Sequence, residues 1–378
     1  MKKINLLILH SNILGGSTQV LLNDLKLLGK DKTLDIYIGL IGKGNNVRLG
    51  TSDSSIFYIK RSYYNPRTFF ELVKFVREEK IDLVHLNSPA TYFIGPILKL
   101  FKNIKLIVYL HGDLKYDVKD NFIKRAIRKY LFSNFIDRFI VVSNDLGNVL
   151  ISDYKIKEDK IRVIYNGAPD LSKIKINKEF VSNLNKRYSL KDKFVILNIG
   201  RLVDVKNQRM LISLGKRLKN KINYKILIAG DGPLKSNLQE EINKNNLQRN
   251  IFLLGEIKHN EINSLLSVSD AFVLTSNYEG ISISVLEAMS MSVPCILSNV
   301  GGNKEILKEF KRNLLFDLNN LNDLTKKIMN LNKNHKLRKE LSNKLREKYL
   351  KQFTLERPVN SLIKVYEELL KDDKKSKS

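Results

Sequence analysis

The chain has 378 residues, with 66 Lys and Arg against 39 Asp and Glu, a formal net charge of +27, one Cys and no Trp. A hydrophobic fraction of 43% excludes global disorder, and the length predicts two or three domains. A single cysteine excludes an internal disulfide framework and a cysteine-ligated zinc cluster, and Cys295, inside Val-Pro-Cys-Ile-Leu, reads as a small core residue.

The first ten residues have a basic start, but their apolar run is too short for a signal peptide and no cleavage site follows. No window reaches the ~20 apolar residues of a bilayer span. Tyr92–Leu110 comes nearest and is broken by Pro96, Lys99, Lys102 and Lys105. The expectation is a cytoplasmic protein. Its charge is dispersed, with 27 basic and 17 acidic groups in residues 1–170 and 39 and 22 in residues 171–378. A nucleic-acid interface concentrates charge in one patch. The charge by itself names no partner.

Short apolar runs rich in Val, Ile and Leu predict strands at Ile4–Leu9, Leu34–Leu40, Leu83–Leu86, Ile104–Leu110, Arg138–Val142 and Ile161–Ile164. A second series follows at Phe194–Ile199, Tyr224–Ala229, Ile251–Leu254, Ala271–Thr275 and Pro294–Ser298. Helical spacing between them, as in Gln19–Leu28, Thr68–Glu79, Gln208–Lys219 and Ser236–Asn243, predicts βαβ units and doubly wound parallel sheets. Turn residues at 165–170 and a lysine-rich stretch to Lys193 separate the two series. The expected division is a first domain at 1–168, a linker at 169–193 and a second domain at 194–352.

Ligands bind beyond the carboxyl ends of such strands, so the residues just after each strand are the candidates. Gly15 and Gly16 follow the first strand and allow close backbone approach at a helix start, although neither a dinucleotide fingerprint nor a P-loop is present. His111 and Gly112 follow Ile104–Leu110, where an imidazole can bond a sugar hydroxyl or stabilise a transition state. Gly200-Arg201 and Lys206 follow Phe194–Ile199 and offer cations for a diphosphate. Gly230-Asp-Gly-Pro233 is a turn into a helix. Glu279 and Glu287 frame Gly280, Ile281, Ser282 and Ile283, a loop entering a helix whose free amides suit a diphosphate. The spacing of eight is weak alone, since Glu71 and Glu79 share it.

In combination, Gly15-Gly16, His111-Gly112, Gly200-Arg201…Lys206, Gly230-Asp-Gly-Pro, Glu279…Glu287 and Val293–Ile306 resemble the family 4, or group 1, glycosyltransferases. The resemblance implies a GT-B fold, with two Rossmann-like domains facing a central cleft. It implies a retaining, metal-independent transfer from a nucleotide-sugar, a UDP-sugar first of all, to a saccharide or lipid-linked saccharide of the bacterial surface. By analogy Arg201 and Lys206 bind the diphosphate, Glu279 the donor sugar and Glu287 the ribose, while His111 and the Gly15-Gly16 loop come from the first domain. It implies no cofactor; the nucleotide-sugar is a substrate. Ile281-Ser282-Ile283 departs from the more glycine-rich or aromatic sequence of many members. The family also implies a last helix, 353–370, crossing back to the first domain, and the charged tail 371–378 is expected to be disordered.

Residues 121–136 place Phe122, Ile123, Ala126, Ile127, Tyr130 and Leu131 at helical spacing, with Lys124, Arg125, Arg128 and Lys129 on other faces. Two readings stay open: the apolar stripe packs on the core, or it contacts an anionic membrane at the inner face of the cytoplasmic membrane. The rivals to transfer are a GT-B-fold nucleotide-sugar epimerase and a basic nucleic-acid-binding protein.

Overall fold

The computed structural model describes residues 3–11, 16–42, 55–62, 65–112 and 122–375. Gly15 and residues 376–378 lie outside them. The chain divides into one unit of residues 1–167 and 355–378 and a second of 168–354.

The first unit holds a seven-stranded parallel sheet. Its strands are β1 (Ile4–Ser11), β2 (Leu34–Ile41), β3 (Ser55–Ile59), β4 (Leu83–Leu86), β5 (Lys105–Leu110), β6 (Arg138–Val141) and β7 (Ile161–Val163). They lie in the order β3-β2-β1-β4-β5-β6-β7. Leu6 to Leu9 of β1 pair with Leu83 to Leu86 of β4, and all eight side chains are buried. Unbroken burial follows from helices on both faces, and it explains the near-continuous apolar runs. Helix Glu356–Lys375 belongs to this unit and packs on helix Gly16–Leu28. Its Tyr366 hydroxyl lies 2.8 Å from His85 Nδ1.

The second unit has six parallel strands, β8 (Phe194–Ile199), β9 (Tyr224–Ala229), β10 (Ile251–Gly255), β11 (Ala271–Leu274), β12 (Cys295–Ser298) and β13 (Leu315–Phe316). Their order is β10-β9-β8-β11-β12-β13. Cys295 is buried in β12, and burial pushes its thiol far above the ordinary range.

Residues 169–193, expected as a linker, fold into the second unit. Arg346 grips both carboxylate oxygens of Asp170 at 2.7 and 2.8 Å and donates to Ser290 O, while Tyr349 bonds Ala168 O at 2.8 Å. Burial raises the Asp170 carboxyl, but the Arg346 bonds outweigh it and hold it below the usual carboxylate range. Asn177 caps helix Lys178–Tyr188 by accepting from Phe180 N, and Leu184 is that helix's buried anchor. The last helix continues to Lys375, past the expected start of a disordered tail.

Helix Phe122–Phe135 turns its stripe outward. Ile123, Ala126, Ile127 and Tyr130 are exposed, while Arg128 and Phe132 are buried. No helix of the described residues is long and apolar enough to cross a membrane.

Candidate active site

In the second unit the chain leaves β8 for β9 in one direction and β11 for β12 in the other. The loops after β8 and β11 therefore diverge, which is where a doubly wound sheet opens a crevice. Asn198, buried near the end of β8, donates from Nδ2 to Val273 O at 2.7 Å and joins the two strands there.

Lys206 ends the helical turn Asp204–Lys206 after β8, and Glu279 lies in the loop after β11. Lys206 Nζ and Ser276 Oγ both donate to Glu279 Oε1, each at 2.5 Å. Glu279 is only 7% exposed, so this ion pair is partly shielded from water. The Thr275 hydroxyl donates to the carbonyls of Lys206 and Asn207 at 3.1 and 2.9 Å and holds the two loops together. Because both donors use one oxygen, Oε2 retains its capacity to accept from a ligand hydroxyl. Arg201 lies at the exposed rim, and its carbonyl accepts from Gln208 Nε2 at 2.9 Å.

Two glycine turns support these loops. Gly230 has φ +135°, and a Cβ there would lie 2.1 Å from Gly200 O, so the turn after β9 rests on the Gly200-Arg201 backbone. Gly301, at φ +44°, would place a Cβ 2.0 Å from Glu279 O. The amide of Gly302 donates to that same oxygen at 2.9 Å. Only glycine fits these approaches without strain.

Gly280 and Ile281 are buried and lead to Ser282, which precedes helix Ile283–Ser290. No side chain caps this terminus, so its first amides are left for an anionic oxygen. Ser284 instead donates to Ile199 O at 3.2 Å, anchoring the helix start to the end of β8. Glu287 is 4% exposed; its Oε1 has no hydrogen bond, and His259 Nδ1 lies 3.7 Å from it. Burial pushes the Glu287 carboxyl up to about 8. Desolvation without compensating hydrogen bonds favours the neutral acid.

In the first unit, His111 follows β5 and its Nε2 lies 2.9 Å from Asn87 Oδ1. Since the amide oxygen only accepts, Nε2 carries the proton in that contact. His10, at the end of β1, contacts Thr18 Oγ1 at 2.9 Å and Asn87 O at 3.2 Å. Burial, with His10 and His85 nearby, pushes His111 down to about 3, so its imidazole is neutral at ordinary pH. Gly16 opens helix Gly16–Leu28, and a Cβ there would meet nothing within 4 Å.

The structure thus joins Lys206 to Glu279, sets Arg201, Gly230, Gly280, Ile281 and Ser282 on the surrounding turns with Ile283 and Glu287 on the helix that follows, and puts His111 and Gly16 in the other unit. Sequence reasoning missed Ser276, His259, Asn87 and His10. Ser276 had a usable signal, because it directly follows a strand end beside an acceptor loop. Among the described residues, no group of three or more His, Cys, Asp or Glu is arranged to hold a metal ion.

Two family models match the chain, Glycosyl transferases group 1 over residues 182–348 and Glycosyltransferase Family 4 over residues 44–170. A glycosyltransferase of Methanocaldococcus jannaschii is 34% identical over 295 residues, 78% of this chain and 77% of its own. The UDP-Gal:alpha-D-GlcNAc-diphosphoundecaprenol alpha-1,3-galactosyltransferase of Escherichia coli is 27% identical over 381 residues, 94% of each chain. Among solved structures, HepE of Anabaena in complex with UDP-glucose superposes with a TM-score of 0.83 at 17% identity, covering 97% of this chain and all of that one. With these matches and its two parallel-sheet units, the chain belongs to the group 1, family 4 glycosyltransferases and has the GT-B fold.

Proposed function

We propose that this glycosyltransferase moves a sugar from a UDP-sugar to a saccharide or lipid-linked saccharide, retaining the anomeric configuration and using no metal, in the assembly of a bacterial surface glycan. The observation that carries the reading is the Lys206–Glu279–Ser276 group where the sheet order reverses, beside an uncapped helix start. The printed name of the E. coli relative, a UDP-Gal enzyme with a diphosphoundecaprenol-linked acceptor, supports the donor and acceptor classes. On this reading the reaction is cytoplasmic.

The bond that breaks joins the anomeric carbon to the diphosphate, so negative charge grows on the leaving oxygen. Arg201, Lys206 and the amides of helix Ile283–Ser290 supply positive charge and donors there, the work otherwise given to a cation. Glu279 accepts from a sugar hydroxyl through Oε2 and aligns the anomeric carbon. Glu287 accepts from the ribose hydroxyls. Neutral His111, whose Nε2–H is held by Asn87, accepts a hydrogen bond at Nδ1 without carrying charge. The acceptor hydroxyl attacks from the face the diphosphate leaves, and a phosphate oxygen takes its proton.

The test is NMR of products formed from UDP-sugars and candidate acceptors in the presence of EDTA. An axial donor linkage preserved as an axial product, with the rate unaffected by EDTA, is expected. Glu279→Gln should lower turnover about 100-fold while UDP affinity stays within a few fold. An inverted product, or a metal-dependent rate, contradicts the proposal, and an epimerised sugar formed without acceptor would favour the epimerase.

A further inference from the structure

We infer that Asn87 and His10 are positioning residues of the first unit: His10 keeps the Asn87 amide from turning over, and that amide fixes which nitrogen of His111 carries the proton. The inference rests on the place proposed for His111 in the transfer reaction and adds to it the groups that hold the ring.

The strand order sets β1, β4 and β5 side by side. His10 stands at the end of β1, Asn87 directly after β4 and His111 directly after β5, so three polar side chains meet on adjoining strand ends. Asn87 is 1% exposed, and its backbone N–H donates to Leu9 O at 2.9 Å. The Ser88 hydroxyl accepts from Ser11 N at 3.0 Å and ties the next residue to the same strand. The Asn87 side chain therefore starts from a fixed backbone. Its Oδ1 faces His111 Nε2 at 2.9 Å, and its Nδ2 faces His10 Nδ1 at 3.3 Å. His10 Nε2 in turn meets Thr18 Oγ1 at 2.9 Å, near the start of helix Gly16–Leu28.

A primary amide has an accepting end and a donating end, and a neutral imidazole has one nitrogen of each kind. With the amide as it stands, one assignment satisfies these side-chain contacts. His111 Nε2–H donates to Asn87 Oδ1, Asn87 Nδ2 donates to His10 Nδ1, and His10 Nε2–H donates to the Thr18 hydroxyl. Turning the amide over would present hydrogens to His111 and an oxygen to His10, so both rings would have to change tautomer together. Burial pushes His10 down to about 4 and His111 down to about 3, so both rings are neutral at ordinary pH, as the assignment requires. Tyr109 lies against the His111 ring, with centroids 4.2 Å apart. His111 Nδ1 is shielded from water and has no hydrogen-bond partner among the described residues. It is left as an acceptor for a hydroxyl of the bound sugar.

The experiment is nitrogen NMR of the histidine rings in the full chain, with the His111 signals identified by their loss in His111→Gln. A neutral ring with its proton on Nε2, slow to exchange with water, is expected. Asn87→Leu should move the ring nitrogens toward the average of the two tautomers. His10→Phe alters no group bonded to His111 and should do the same by freeing the amide. Asn87→Asp keeps an accepting oxygen in place and should keep the proton on Nε2. Asn87→Leu should also lower turnover about 10- to 100-fold while UDP affinity stays within threefold, and Asn87→Asp should lose less. Unfolding curves show which variants are folded; should Asn87→Leu not fold, the unaltered chain and His10→Phe carry the test. A His111 proton on Nδ1 in the unaltered chain, or a tautomer unmoved in Asn87→Leu, overturns the inference. A tautomer unmoved in His10→Phe overturns the part given to His10. A moved tautomer with full turnover upholds the hold of Asn87 on the ring and overturns instead the place of His111 in the transfer.

Discussion

Glu287 is the residue whose environment makes the sharpest claim about a ligand. Its carboxyl has an ordinary value of 4.5 and is pushed to about 8 by burial, so between those limits the folded chain holds a proton that the unfolded chain releases. This favours the fold at low pH, and the advantage is lost as pH rises through about 8. Ribose hydroxyls donating to the carboxylate would favour its charged form and bring the value down. UDP binding at a pH between 4.5 and about 8 should therefore release a proton. Calorimetry in buffers of different ionisation enthalpy reads this directly, and Glu287→Gln should remove the buffer dependence. Binding with no proton release in the unaltered chain would show that Glu287 does not receive the ribose.

At this scale the sequence exposed residues whose chemistry follows a strand end, as Arg201, Lys206, Glu279 and His111 do. His10 was hidden by its place at the end of an apolar run, and Asn87 by an ordinary strand-to-turn junction. Their meeting across 77 residues is a tertiary fact. His259 likewise reaches Glu287 only through the packing of elements far apart in the chain.

Among elements, the strands with long apolar runs were legible because both their faces are buried. β3, Ser55–Ile59, is a short edge strand, and β13 has two residues, too few to show a period. The polar composition of 169–193 hid a helix anchored by Leu184 and a turn locked by Arg346. In helix Phe122–Phe135 the period was visible, but its direction was not, because only packing shows that Arg128 and Phe132 face inward. The turns have a direct test. Gly230→Ala combines an unfavourable φ of +135° with a Cβ 2.1 Å from Gly200 O. It should destabilise the chain by about 1–3 kcal/mol in denaturant unfolding. A loss well below that range would mean that the turn after β9 relaxes without strain.

At the scale of the whole molecule, two doubly wound units share one architecture and differ in what their strand ends hold. The first gathers neutral, buried imidazoles; the second gathers a lysine, two carboxylates and an uncapped helix start. On the proposed reading that difference puts the nucleotide diphosphate at the second unit, although the net charge of +27 is spread over both. The most direct measurement is a calorimetric titration of UDP into the unaltered chain and into Lys206→Ala, with unfolding curves confirming that both are folded. Removing one charge-assisted contact should weaken UDP about 10- to 100-fold. Equal affinity in the two proteins would contradict a diphosphate site at Lys206.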